Sequence, residues 1–275
     1  MANSAQKAYW TSPSGNEWAE MAERIDAAHA NVTRELVRRS RVLPNQLVLD
    51  VGCGAGTSVR AFLGAGARVT GLDLSPRLLA HAQASLPEGA FATFLEADAQ
   101  DHPFDPETYD RIVSQFGVMF FEEPVAAFAN LRKATKTGGR LCFAAWASAE
   151  ENPWFHIPKA AADAELGMIE VDPNAPSPTA FRDIGRVENL LRAAGWEDVQ
   201  GTVVDLDITP PGRLAEAADQ ATRLGLASRI IRATGAGEDK RMRIVARIVD
   251  DLASYETADG MQVPGRFNFF EAVSS

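Results

Sequence analysis

Leu47-Val48-Leu49-Asp50-Val51-Gly52-Cys53-Gly54-Ala55-Gly56-Thr57 is a short apolar run closed by three glycines within five residues. The apolar run predicts a buried strand, and the glycines predict a tight turn into a helix that begins at Thr57. A helix start offers unpaired backbone N–H groups, and a glycine loop lets a ligand approach the backbone closely. The stretch therefore predicts a ligand site at the carboxyl end of a strand. Working outward, similar apolar runs recur at Arg68–Leu72, Phe91–Leu95, Tyr109–Val113 and Arg140–Ala145. Helix-compatible stretches lie between them at Thr57–Leu63, Pro76–Ser85 and Pro124–Ala134. This alternation predicts an α/β fold, a parallel sheet with helices on both faces.

Upstream, Trp18, Met21, Ile25, Val32 and Leu36 recur at mostly helical spacing and predict one amphipathic helix over 16–40, with Asn16 as its cap. Arg34, Arg38, Arg39 and Arg41 crowd its end, where the helix dipole favours cations. Ser12-Pro13-Ser14-Gly15 reads as a flexible turn before it. Downstream, residues 148–182 carry five prolines. A helix is expected over Pro153–Leu166, an irregular loop over Asp172–Pro178, and a second helix marked by Ile184, Val187, Leu190, Leu191 and Ala194 and ended by Gly195. A strand over Val199–Ile208, helices near Leu214–Ala233 and Asp239–Ala253, and a last strand over Met261–Val273 complete the reading. No repeat or clean linker divides the chain, so 1–275 is read as a single domain.

The 275 residues carry a formal charge of −10, with a pI near 5.0. That balance opposes nucleic-acid binding, which rests on a basic face. Cys53 and Cys142 are too few for a disulfide scaffold, and His29, His81, His102 and His156 form no metal-ligand spacing, so no metal is expected. No apolar stretch is long enough to span a bilayer, and Met1–Gly15 lacks the apolar segment of a signal peptide. The expected location is the cytoplasm.

The glycines do not decide the ligand alone. The dinucleotide pattern G-x-G-x-x-G would place its third glycine at Thr57, but Gly56 comes one residue early. Acidic residues add context: Asp50 ends the first strand, Asp73 the second, and Asp98 follows the third in Glu96-Ala97-Asp98-Ala99. With these motifs in hand, the sequence resembles the class I S-adenosylmethionine (SAM) dependent methyltransferases. Leu47–Thr57 is similar to their first motif, Gly71-Leu72-Asp73-Leu74-Ser75 to the next, and Glu96–Ala99 to the third. Tyr109–Ser114 resembles their fourth strand, and Gly138-Gly139-Arg140-Leu141 the turn into the fifth. A looser likeness, at Glu151-Asn152-Pro153-Trp154, points toward bacterial ubiquinone/menaquinone C-methyltransferase-like enzymes.

The resemblance implies a Rossmann-like seven-stranded sheet with its last strand antiparallel. It also implies a layout of N-terminal lid and helix (1–45), SAM-binding core (46–146), and substrate-side insert with C-terminal strands (147–275). Asp73 would accept the ribose hydroxyls, Leu74 would pack beside the adenine, and Asp98 with the Ala99 backbone would meet the adenine amino group. Gly52, Cys53 and Gly54 would line the methionine portion, with Asp50 near its ammonium. Ser114 and Gln115 would contact the sulfonium end, and Trp10 would close over the cofactor. The substrate side is read from aromatic residues near the strand ends: Tyr9, Trp18, Phe116, Met119, Phe120, Trp146 and Trp154 are expected to shape a mostly apolar pocket. Of the four histidines only His156 falls in that segment after the fifth strand, so it is the candidate base. The expected reaction is methyl transfer to a small molecule, with self-association left open. Alternatives are a SAM-using enzyme of other chemistry, an NAD(P)-dependent oxidoreductase and a non-catalytic SAM-binding subunit.

Overall fold

A computed structural model describes residues 3–168 and 176–275. Four short helices open the chain: α1 (Ser4–Trp10), α2 (Pro13–Glu20), α3 (Ala22–Ala28) and α4 (Ala30–Ser40). The core alternates β1 (Leu47–Val51), α5 (Thr57–Gly64), β2 (Arg68–Asp73), α6 (Pro76–Ala84), β3 (Ala92–Glu96), β4 (Tyr109–Gln115), α7 (Pro124–Ala134) and β5 (Thr135–Trp146). Then follow α8 (Pro153–Leu166), α9 (Ile184–Ala193), β6 (Glu197–Ile208), α10 (Leu214–Arg223), α11 (Leu226–Thr234) and α12 (Glu238–Leu252). A minimal hairpin of β7 (Glu256–Thr257) and β8 (Gly260–Met261) leads into β9 (Val263–Val273).

Seven strands form one sheet in the order β3-β2-β1-β4-β5-β9-β6. β9 runs antiparallel to both β5 and β6. The chain therefore folds as a Rossmann-like sheet whose last strand is antiparallel, as the motifs implied. Val48 and Leu49 of β1, Ile112 and Val113 of β4, and Leu141 and Phe143 of β5 are fully buried, which explains their unbroken apolar runs. Phe128 of α7, Phe143 and Phe181 are in mutual ring contact, Phe270 stacks on Phe143, and the Trp196 indole N–H donates to the Phe128 carbonyl at 2.9 Å.

The expected helix over 16–40 is corrected to three helices, with breaks at Met21 and His29. At His29 the ring Nδ1 lies 2.7 Å from the Ile25 carbonyl, which also takes the His29 backbone N–H. A side chain inserted into the i→i−4 ladder bends a helix. The Ser12–Gly15 turn is corrected too, since Pro13 opens α2; a side chain at Gly15 would collide with the Trp10 carbonyl. Likewise Leu214–Ala233 is two helices, split at Gly225 (φ 83°). Residues 172–175 of the loop expected at Asp172–Pro178 lie outside the described residues. Two of the crowded arginines at the end of α4 are held by acids: Glu35 bridges Arg38 and Arg39, and Arg39 reaches Glu271 of β9 at 3.1 Å. Among the described residues no helix is long and apolar enough to cross a membrane.

Candidate active site

A cavity of about 230 Å³ opens at the carboxyl ends of β1, β2, β4 and β5. One end of it is built by the glycine loop. Gly52, Gly54 and Gly56 all adopt positive φ (69°, 53° and 85°). A Cβ on Gly52 would lie 2.7 Å from Gly117 Cα, so β1 and β4 can close together only as bare backbone, whereas a Cβ on Gly54 would meet open space. Asp73 ends β2 with 9% exposure, its Oδ2 accepting from the Gly54 N–H and its Oδ1 from the Ser75 N–H, both at 2.9 Å. Ser75 caps α6, accepting from the Leu78 N–H, with Pro76 at the first helical turn. The sequence Asp-Leu-Ser-Pro thus fixes the carboxylate by local turn chemistry. Burial raises the Asp73 carboxyl, opposed by the N–H groups of Ser75, Gly54 and Leu74.

Asp98 sits half-buried beyond β3, where its Oδ1 accepts from the Gln100 N–H at 3.0 Å and from Asn3 Nδ2 at 3.3 Å. Asp50 lies beneath the loop, fully buried. Its Oδ2 accepts from the Ser58 hydroxyl at 2.5 Å and its Oδ1 has no partner among the described residues. Burial, less the Ser58 hydrogen bond and with the nearby Asp73 charge added, pushes its carboxyl up to about 7. Cys53 is buried and its thiol is pushed well above the usual range, mainly by desolvation, so it packs as an apolar side chain.

The other end of the cavity is aromatic. Phe116 stacks on Trp146 at 5.3 Å with planes 15° apart, and Trp146 meets Phe155 edge-on at 4.6 Å. Phe116 adopts φ 65°, a strained conformation for a bulky residue, and it does so at the cavity wall. Trp10 of α1 contacts both Trp18 (5.5 Å) and Phe120 (5.4 Å), so the N-terminal helices cover the opening.

Of the residues expected to bind cofactor, Trp10, Gly52, Cys53, Gly54, Asp73, Leu74, Asp98, Ala99 and Gln115 line this cavity; so do Trp18, Phe116, Met119, Phe120, Trp146 and Trp154 of the expected substrate set. Four residues are not brought to it. Tyr9 only packs on the Trp10 ring. Asp50 is one layer below. Ser114 is fully buried and structural, donating to the Val51 carbonyl at 2.7 Å and accepting from Gly117 and Val118, which ties β1 to β4. His156 is exposed on α8. Helical rotation explains it: Trp154, Phe155 and Pro158 share the inward face, leaving His156 outside. The start of α8 is pinned by Asn152, which donates to Ser148, accepts the Arg266 N–H at 2.8 Å and is fully buried. The Glu151–Trp154 likeness therefore marks a structural joint.

Sequence reading missed the stripe Ala22, Ile25, Asp26 and His29, and the wall from Gln220 to Leu226 on α10 and α11. The first had a signal, because these residues continue from Trp18 at helical spacing. The second had none, since α10 and α11 reach the cavity only through tertiary packing.

A family profile described as a methyltransferase domain matches residues 49–143. The chain is 33% identical over 131 residues to uncharacterized proteins of Mycobacterium tuberculosis and Mycobacterium bovis, and spans 47% of their length. It is also 33% identical over 197 residues to the demethylmenaquinone methyltransferase of Renibacterium salmoninarum, a match that takes in 66% of this chain and 82% of that one. The chain belongs to the class I SAM-dependent methyltransferases. In fold, it superposes on the YcgJ protein of Bacillus subtilis with a TM-score of 0.58 at 14% identity, over 90% of this chain and 99% of that one.

The residues of this methyltransferase fit SAM as cofactor. Gly54 leaves open space where a side chain would stand, Asp73 keeps a free lone pair on each oxygen for a pair of vicinal hydroxyls, and the unpartnered Asp50 Oδ1 can serve a cationic amine through water. The N-terminal cover should matter for affinity. Removing residues 1–15 takes away the Asn3–Asp98 hydrogen bond and the Trp10–Phe120 contact. We expect the SAM dissociation constant to rise severalfold and activity to fall; calorimetry on the truncated protein that finds equal affinity would remove α1 from the site.

Proposed function

We propose that this methyltransferase methylates an uncharged, flat, largely apolar small molecule held at the aromatic end of the cavity. The observation that carries the reading is the lining itself. Phe116, Trp146, Trp154 and Phe155 wall that end, and among the described residues no lysine or arginine lines the cavity. A phosphate or carboxylate on the substrate would enter a space without a cationic partner and beside Asp26, which is costly in a desolvated site. The Renibacterium relative, named for a menaquinone-type substrate, agrees with a ring-bearing molecule.

When bound, SAM supplies a methyl group already activated on a sulfonium. The chain's own contribution is then orientation and exclusion of water. Asp73 and Asp98 hold the nucleoside end, the glycine loop sets the depth of the methionine end, and the ring wall fixes the plane of the substrate. Two buried thiols and an acidic chain suit a reducing, cytoplasmic setting.

Label transfer from SAM to a panel of neutral bicyclic arenes and to their phosphorylated or carboxylated counterparts tests the proposal. Transfer confined to the charged set would refute it. Trp154 is half-buried and lines the cavity, so Trp154→Ala should raise the substrate KM about tenfold by removing ring contact. The SAM dissociation constant should stay within twofold of wild type. A parallel loss of SAM affinity would place Trp154 at the cofactor instead.

A further inference from the structure

The aromatic end of the cavity holds a ring nitrogen without a partner among the described residues. His29 stands at the break between α3 and α4, with 9% exposure, and it lines the cavity. Its ring meets Phe116 edge-on at 5.3 Å and Trp146 at 5.5 Å. Nδ1 lies 2.7 Å from the Ile25 carbonyl oxygen. A carbonyl can only accept, so the hydrogen sits on Nδ1. Burial pushes the ring's pKa down to about 4, with only the Ile25 hydrogen bond opposing it, so at neutral pH the ring is uncharged. Nε2 is then a bare lone pair, buried and without a hydrogen-bond partner among the described residues. Buried polar atoms are nearly always satisfied, and one that is not calls for an explanation.

We propose that His29 Nε2 is the hydrogen-bond acceptor that selects methyl-accepting molecules presenting an O–H group, and holds that hydroxyl at the aromatic end of the cavity. This rests on the aromatic-substrate reading above. Set between the Phe116 and Trp146 rings, this acceptor distinguishes a hydroxyl from a hydrogen, a halogen or an ether of similar shape, because only the hydroxyl satisfies Nε2. A ring with so low a proton affinity orients the hydroxyl rather than storing its proton, which makes His29 a specificity residue. The exposed His156 has no access to this role.

The test is equilibrium dialysis of the full chain, saturated with S-adenosylhomocysteine, against 2-naphthol and against 2-fluoronaphthalene, which has nearly the same shape and no donor. Wild type should bind the naphthol about tenfold more tightly. His29→Phe keeps a ring between Phe116 and Trp146 and should bind the two equally, while His29→Gln, which retains an acceptor oxygen, should recover part of the preference. Equal binding of both probes by wild type, or an undiminished preference in His29→Phe, overturns the assignment. The wild-type comparison stands even where a variant folds poorly. Failure of wild type to bind either probe would instead bring down the aromatic-substrate reading, and this inference with it.

Discussion

Asp73→Ala is expected to weaken SAM binding by about a hundredfold or more. Hydrogen bonds to a charged group contribute roughly 1.5–3 kcal/mol each, and the ribose role proposed for Asp73 gives the carboxylate two of them. The substitution also frees the Gly54 and Ser75 N–H groups that the carboxylate now holds, so the glycine loop loses its anchor as well. Asp73→Asn separates the two effects: it keeps an oxygen for one N–H and loses the charge, so its affinity should fall between those of Ala and wild type. Calorimetry with SAM, alongside circular dichroism to verify the fold, measures both. Wild-type affinity in a folded Asp73→Ala protein would show that the ribose is held elsewhere.

Asp50 gives the second large effect, and its sign depends on pH. Burial raises its carboxyl from the ordinary 3.8 to about 7 in the folded chain. Between those values the folded state keeps a proton that the unfolded state has lost. This group's contribution to stability is therefore fully present below about pH 4 and is lost progressively as pH rises to about 7. The ceiling on the loss is about 4 kcal/mol at 1.36 kcal/mol per pH unit. Asp50→Asn removes the buried charge, so at pH 8 the variant should unfold at higher denaturant than wild type, with the gap closing near pH 4. SAM affinity should respond oppositely. A cationic amine near Asp50 favours the ionised carboxylate, so wild-type affinity should rise through pH 7 and Asp50→Asn should lose most of that dependence. Unfolding curves that differ equally at pH 4 and pH 8 would mean that Asp50 does not titrate in this range.

The strand runs, the glycine loop and Asp73 were legible in the chain because their signals are local. Val48, Leu49, Ile112 and Val113 are apolar in succession because a central parallel strand is buried on both faces. Gly52, Gly54 and Asp73 belong to turns whose backbone demands are written within a few residues. These carried the fold and the family, and with them the proposed cofactor end of the site. His29 was not legible as a site residue, because the periodicity of 16–40 is that of one continuous helix. At the bend the His29 ring bonds back to Ile25, and the bend sets that ring edge-on against Phe116 and Trp146. His156 shows the converse: its neighbours Trp154 and Phe155 do face the cavity, but helical rotation turns the residue between Phe155 and Ile157 to solvent. The amino-acid sequence by itself determined the sheet, the glycine turn and the acidic residues at strand ends, since each is a short-range consequence of residue type. The tertiary structure alone decided that α10 and α11 complete the cavity wall, because they reach the strand ends from a distant stretch of the chain and no short-range signal links them.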